Sequence, residues 1–313
     1  MKEVVFVNDF PHAAAFYGPL VDAMRQRFSV RMFKNGSLDP AAVDLVVLPY
    51  RTWEAPGNFI VDHAPLYSNR LSVKAHDYEV WPSPTIELLT RDWGIAAKRR
   101  SWVTGFFFVE QLDFKFNNPE VAFAYFAHKG GWRGPRTDVG KTLLTLCHRF
   151  ERVYFCFHLF EDWKRSVRGA LPDNLVRIDH GRPFWQALAE AGTVLCDYSS
   201  VLACALADPR KQLYIHHGLP WPQHKAARFF DMAHREFAYL YSEQELDSLL
   251  LQVRANDAKR RDRERWAVLV HGESLGKGAT EKTVDAMEEA IDLRARHFKR
   301  SGVEAVAAAQ VLT

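Results

Sequence analysis

Cysteine is sparse in this 313-residue chain: Cys147, Cys156, Cys196 and Cys204, with no C-x-x-C pair among them. That excludes a disulfide framework, and the four read as buried, reduced thiols of a cytoplasmic protein. An excess of one charge is also lacking. Lys and Arg number 41 against 38 Asp and Glu, a net of +3, which is no footprint of a nucleic-acid binder, and no nucleic-acid partner is expected. No apolar run approaches the length needed to cross a bilayer. The opening MKEVVFVNDF breaks after a handful of apolar residues and reads as a first strand, not a signal peptide. Histidine is plentiful, at 13, but lacks metal-ligand spacing. His216, His217, His224 and His234 make only a loose cluster with Asp231, so no metal site is expected, and no cofactor. Internal repeats and low-complexity tracts are missing too.

What is present is an apolar fraction of 48%, ample for real cores, in a length that favours two domains. Strand and helix patterns alternate. Strands are expected over residues 4–7, 30–33, 45–48, 77–81 and 102–104, with a helix over 14–28. A second set comes after these: strands over 121–126, 153–157, 175–178, 193–196 and 212–215, and helices over 139–149 and 184–190. Alternation of this kind predicts parallel sheets covered by helices. The irregular stretch 111–120 is the expected domain boundary, because Asn117-Asn118-Pro119 interrupts both patterns. The expected division is one domain over 1–115, a second over 116–280, and a closing helix with tail over 281–313. In that helix Val284, Met287 and Ile291 share a face, with acids early and Arg294, Arg296, Lys299 and Arg300 late. The preceding KRRDRERW (259–266) reads as a solvated, mixed-sign helix face.

The richest stretch is TVLCDYSSVLACALAD, residues 193–208. A short apolar strand runs into Asp197-Tyr198-Ser199-Ser200 and then a helix expected over 200–207. Free N–H groups, the positive end of a helix dipole and two hydroxyls converge there, which favours an anion such as phosphate. In open parallel sheets ligands bind beyond the carboxyl ends of the strands. That rule picks out four loops, over 8–13, 49–57, 128–136 and 197–200. GPRTDVGKT (134–142) imitates a phosphate-binding P-loop, but five residues separate Gly134 from Gly140 where the motif has four. His158, directly after the apolar run 153–157, emerges at a strand's carboxyl end, where an imidazole can donate to a phosphate oxygen.

These segments resemble the CDP-glycerol glycerophosphotransferase family, which builds teichoic-acid-type polymers. CDYSSV, then LACALAD, then PRKQLYIHH keep the family's order of strand, D-Y-S-S, helix and strand. VYFCFHLFEDW (153–163) is similar to its strand-then-histidine segment, with His158 at the histidine. VAFAYFAHKGGWRG (121–134) and HGESLGKGATEKTVDAM (271–287) are similar to the opening and closing of its C-terminal domain. Fainter echoes are RTWEAPG (51–57), HDYEVWPSP (76–84) and VTGFFFVEQL (103–112).

The resemblance implies two Rossmann-like, doubly wound parallel-sheet domains facing across a cleft, the GT-B arrangement, with a final helix returning to the first domain. It implies a nucleotide-activated donor, CDP-glycerol or a nucleotide sugar, and a polymer or glycan acceptor. The donor phosphates would be held by Lys129, Gly130, Gly131, Asp197, Ser199 and Ser200, with His158 contributing to turnover. Where the family carries Trp-His-Gly-Thr-Pro, this chain reads Trp53-Glu54-Ala55-Pro56-Gly57. Glu54 is therefore the first candidate for the base that deprotonates the acceptor, and His63 the second. Loss of the family histidine equally fits a non-catalytic binding protein. Peripheral contact with the inner face of the cell membrane is a further implication.

Overall fold

The computed structural model describes residues 1–7, 13–33, 42–48, 58–61, 77–92, 99–113, 117–126, 138–157, 171–179, 182–196, 201–217 and 232–311. It divides into two compact units. Among the described residues, the first takes in those of 1–63 and 72–107 together with the C-terminal stretch from Gly278, and the second runs from Phe108 to Lys277.

The first unit holds a six-stranded sheet: β1 (Glu3–Val7), β2 (Ser29–Phe33), β3 (Leu45–Leu48), β4 (Asn58–Ile60), β5 (Tyr78–Trp81) and β6 (Arg100–Val103), in the order β2-β1-β3-β4-β5-β6. All its pairings are parallel. β1 and β3 are almost wholly buried, which is why they read as unbroken apolar runs and not as alternating ones. Helix α1 (Ala13–Arg27) packs Tyr17 on Phe6, ring centroids 5.1 Å apart, and the Tyr17 hydroxyl donates to the Val61 carbonyl at 3.0 Å. A second helix, α2 (Pro84–Asp92), comes after β5, with the Ser83 hydroxyl accepting from Ile86 N at 3.2 Å.

The second unit repeats the plan with β7 (Asn118–Phe126), α3 (Val139–Arg149), β8 (Arg152–Phe157), β9 (Leu175–Arg177), α4 (Arg182–Glu190), β10 (Ala191–Cys196), α5 (Val201–Ala205), β11 (Gln212–His216), β12 (Tyr239–Tyr241), α6 (Leu246–Ala255) and α7 (Arg260–His271). Its sheet is again all parallel, in the order β12-β11-β10-β7-β8-β9. One core face gathers Ala122, Ala124 and Phe126 of β7 with Leu143 and Leu146 of α3, Phe155 of β8, and Leu246, Leu250 and Val253 of α6.

The last helix, α8 (Ala279–Val311), belongs to the first unit and runs on past the expected stop near Arg300. Val284, Met287 and Ile291 are buried as their spacing requires. Arg294, one of the late cations, is buried and donates to the Val43 carbonyl, because its long stem carries the charge to a carbonyl just before β3. Thr283 donates to Thr104 Oγ1 at 3.1 Å, and Trp102 Nε1 to Glu289 at 2.7 Å. Arg27 meets Glu281, Asp285 and Glu288 along one side of α8.

Three local expectations need correction. Asn117-Asn118-Pro119 does not interrupt a strand: β7 begins at Asn118 and carries Pro119 where the register with β10 shifts. A proline lacking its N–H is tolerated at such an irregularity, and the Asn118 side chain accepts the N–H of Glu120 at 2.9 Å. KRRDRERW is not a wholly solvated face either. Arg263 is fully buried, donating to the Pro209 carbonyl at 3.0 Å and to Asp257, and Trp266 is buried on the same helix. Just before α6, a helix the apolar pattern did not announce, the Ser242 hydroxyl donates to Glu245 Oε2 at 2.8 Å.

Gly192 lies inside β10, not ahead of it. A Cβ there would stand 2.7 Å from the Asn118 carbonyl oxygen and 2.8 Å from Pro119 Cα, both backbone atoms of β7. Gly192→Ala is therefore expected to cost about 1–3 kcal/mol, the usual range for overpacking. An unchanged denaturation midpoint would show that β7 yields freely.

His271, closing α7, is fully buried with Nε2 2.6 Å from the Ala203 carbonyl. Burial pushes its pKa down to about 4. The unfolded chain thus binds a proton that the folded one refuses between about pH 6.5 and 4. Stability is complete above the upper limit and falls on acidification through that window, by on the order of 3 kcal/mol. His271→Leu should remove this component, so the urea midpoints of variant and parent should converge as pH is lowered from 7 to 4.5. A constant gap would refute it.

Candidate functional site

The two sheets share a feature set by chain order. In the second, the chain moves outward from β7 through β8 to β9, then returns to the other side of β7 with β10, β11 and β12. The order reverses between β7 and β10. In the first sheet it reverses between β1 and β3. At such a reversal the connections diverge to opposite faces and leave a crevice beyond the carboxyl ends of the two strands.

The register levels those ends. Tyr125 stands opposite Cys196, Phe126 opposite Phe157, Cys196 opposite Ile215, and His216 opposite Tyr241. The chain therefore leaves β7, β8 and β10 at neighbouring points on one edge. Lys129, Gly130 and Gly131 come after β7 in sequence, His158 after β8, and Asp197, Ser199 and Ser200 after β10. In the first unit Glu54 comes after β3 and His63 after β4. All nine lie outside the described residues, so it is their launching strands, and not their side chains, that can be given positions.

The frame around them is well defined. Residue 138, where the chain is next described after β7, is the N-cap of α3: Asp138 Oδ1 accepts from Lys141 N at 3.0 Å. Its own N–H donates to Glu243 Oε1 at 2.6 Å, and the same oxygen lies 3.2 Å from His216 Nε2. One carboxylate oxygen after β12 thereby ties the entry of α3 to the end of β11. Burial alone would raise the Glu243 carboxyl. The backbone N–H groups of Glu243 and Asp138 and the His216 ring outweigh it, so the group stays below the usual glutamate value.

His216 is thus a buried strand-end residue with an acidic neighbour, where a polar loop was expected, and its ring meets Tyr241 edge-on at 5.2 Å. Next to it, His217 Nδ1 lies 3.1 Å from the Tyr241 carbonyl. His234 is buried against Phe237. Sequence reasoning overlooked Glu243 and Asp138.

Helix α5 is one short, fully buried piece (Val201–Ala205), where a helix over 200–207 was expected; Ala207 and Asp208 continue it only as a tighter turn. A helix of five residues carries little macrodipole. Thiol chemistry is disfavoured along this edge and behind it. Burial pushes Cys147 up to about 11, and Cys156 and Cys204 up to about 12. Among the described residues no group of three or more His, Cys, Asp or Glu side chains could hold a metal ion. No described helix is long and apolar enough to cross a membrane.

No family model and no curated protein matches the chain. Solved structures do. The wall teichoic acid polymerase TagF superposes with a TM-score of 0.62 at 13% identity, over 94% of this chain and 90% of that one. The S. aureus MnaA–UDP co-structure gives 0.61 at 12%, over 94% and 98%. The UDP-GlcNAc 2-epimerase from Neisseria meningitidis, bound to UDP-GlcNAc, gives 0.55 at 11%, over 92% and 100%. At these identities the likeness is one of fold, and the fold is the mixed α/β, parallel-sheet GT-B type.

Proposed function

We propose that this chain is a GT-B transferase acting on a nucleotide diphosphate-activated donor, and that it transfers glycerol phosphate, or a related polyol phosphate, from a CDP-linked donor to a cell-surface polymer. The observation that carries this reading is the coincidence of two independent facts. The sheet order reverses between β7 and β10, and the residue strings after β7, β8 and β10 are those that resemble the glycerophosphotransferases. A chain order that makes a crevice and a composition suited to phosphate meet at the same edge.

In this reading the hydroxyls of Ser199 and Ser200 and the Lys129–Gly131 segment hold the diphosphate. An acceptor hydroxyl attacks the phosphorus that carries glycerol. The P–O–P bond breaks, CMP departs with the bridging oxygen, and the acceptor's proton passes to Glu54. His158 donates to a phosphoryl oxygen as charge builds on it.

A second reading, favoured by the likeness to structures bound to UDP and UDP-GlcNAc, is a glycosyltransferase using a nucleotide sugar for capsule or lipopolysaccharide. There the sugar C1–O bond breaks and a nucleoside diphosphate leaves. The released nucleotide therefore decides between the two. A thermal-stability screen comes first: ligand at a hundred times its Kd adds about 2.7 kcal/mol to the native state. CDP-glycerol and CMP are expected to stabilise the chain, and turnover to release CMP. Release of UDP from a UDP-sugar would move the assignment to the second reading.

Ser199→Ala with Ser200→Ala is expected to weaken nucleotide binding at least roughly tenfold with the fold intact, since each hydrogen bond to a charged phosphate is worth about 1.5–3 kcal/mol. Unchanged affinity would reduce the two serines to a helix cap. Glu54→Gln keeps the shape of the side chain and removes its basicity. It should lower transfer about a hundredfold or more and leave nucleotide affinity near normal. If Glu54→Gln transfers normally and His63→Ala does not, the base is His63; if acceptor is never consumed by any form, the chain binds without catalysis.

A further inference from the structure

The amino-terminal edge of the second sheet, opposite the strand ends just described, carries a pocket of its own. It is a small, open pocket with a cavity volume of about 90 Å³, and its walls include Arg149, Arg210 and Arg254. These come from three different places: the end of α3, the turn before β11 and the end of α6. No Asp or Glu lines the pocket.

Each arginine has a carboxylate partner that is not part of the wall. Arg149 gives Nε and Nη2 to Asp247 at 2.5 and 2.6 Å, Arg210 gives Nε and Nη2 to Asp208 at 2.8 and 3.0 Å, and Arg254 meets Glu120 through Nη2. Those pairs set the direction of each planar fork. Behind Asp208 sits Lys211, fully buried, its Nζ 4.0 Å from the Asp208 carboxylate and donating to the carbonyls of Ala189 and Ala191. The group therefore holds four cations against three carboxylates, and of these only the three arginines line the cavity. Between the arginines the wall mixes polar and apolar groups: Asn117, Thr193 and Gln212 stand with Pro119, Phe150, Leu250 and Leu251, and Leu251, on α6, is half exposed at 49%.

We propose that this pocket is a second ligand site, for a phosphate monoester on a small apolar or aromatic body. Three guanidiniums around one cavity suit a group with three terminal oxygens better than a carboxylate with two. Leu251 stays uncovered unless a ligand body lies on it. The site is independent of the donor chemistry proposed above, because it lies at the other edge of the sheet.

Phenyl phosphate is the probe, followed by amide chemical shifts of the full-length protein. Saturable shifts are expected at Phe150, Thr193 and Leu251, unaltered in the Ser199→Ala/Ser200→Ala variant. Arg149→Gln with Arg254→Gln should weaken binding at least roughly tenfold. Leu251→Glu, at an exposed position that tolerates substitution, places a carboxylate on the wall and should abolish binding even if the arginine variant folds poorly. Benzoate binding as tightly as phenyl phosphate would overturn the phosphate assignment. Shifts confined to residues beside Phe126 and Cys196, or no saturable shifts at all, would overturn the site.

Discussion

The close pairing of β7 with β10 is the contact on which the second unit depends. These are the first and fourth strands of that unit along the chain, yet they lie side by side at its centre, with β8 and β9 to one side and β11 and β12 to the other. Gly192 lets the two backbones approach closely at the start of β10, where any side chain would meet the Asn118 carbonyl. The register shift at Ala191–Thr193 and the place of Pro119 belong to the same crowding. Beyond it the ladder runs true from Thr193 opposite Ala122 to Cys196 opposite Tyr125. Order at the carboxyl edge is thus set by an irregularity at the amino edge.

That amino edge is held by charges the sheet has buried. Asp208 is almost inaccessible. Burial alone would raise its pKa, but hydrogen bonds from Arg210 and Asn117 and the nearby Lys211 charge hold it below the ordinary aspartate value. Lys211 is itself pushed down to about 8 by burial. It remains the charged donor that ties the last turn of α4 to the first residue of β10. Arg263, from α7, reaches the Pro209 carbonyl next door and is neutralised by Asp257. Such groups hold position strongly because removing one partner leaves the other charged and dry. They account for polar residues in segments that by hydropathy alone belong to loops or solvent.

Most of the elements were legible in the sequence, for a simple reason. Strands of parallel sheets are buried on both faces and read as short unbroken apolar runs; Leu45–Leu48 begins and ends where the pattern says, as does the amphipathic helix Val139–Arg149. The elements that escaped notice have weak patterns. β4 and β12 have three residues each, and α6 begins with no side-chain cap hydrogen bond. Arg263 misled because a long cationic side chain looks solvent-facing on a helical wheel, whatever its tip can reach.

The candidate site is argued by the same logic: if the strands are apolar throughout, candidate chemistry falls in the segments that leave their carboxyl ends. The first polar residues after Phe157 and Cys196 are the ones that rule singles out. His158 and Asp197 stand directly after an apolar run and are its candidates. At β11 it fails, because His216 is the strand's own last residue and is buried by contact with Glu243 and Tyr241. A histidine can end a parallel strand only where a neighbour supplies a counter-charge or an acceptor for its ring. Glu243 does so, while its other bond fixes where α3 begins. The edge that launches the candidate phosphate-binding segments is itself locked by the Glu243 carboxylate between Asp138 N–H and the His216 ring, a tertiary contact that no local pattern announces.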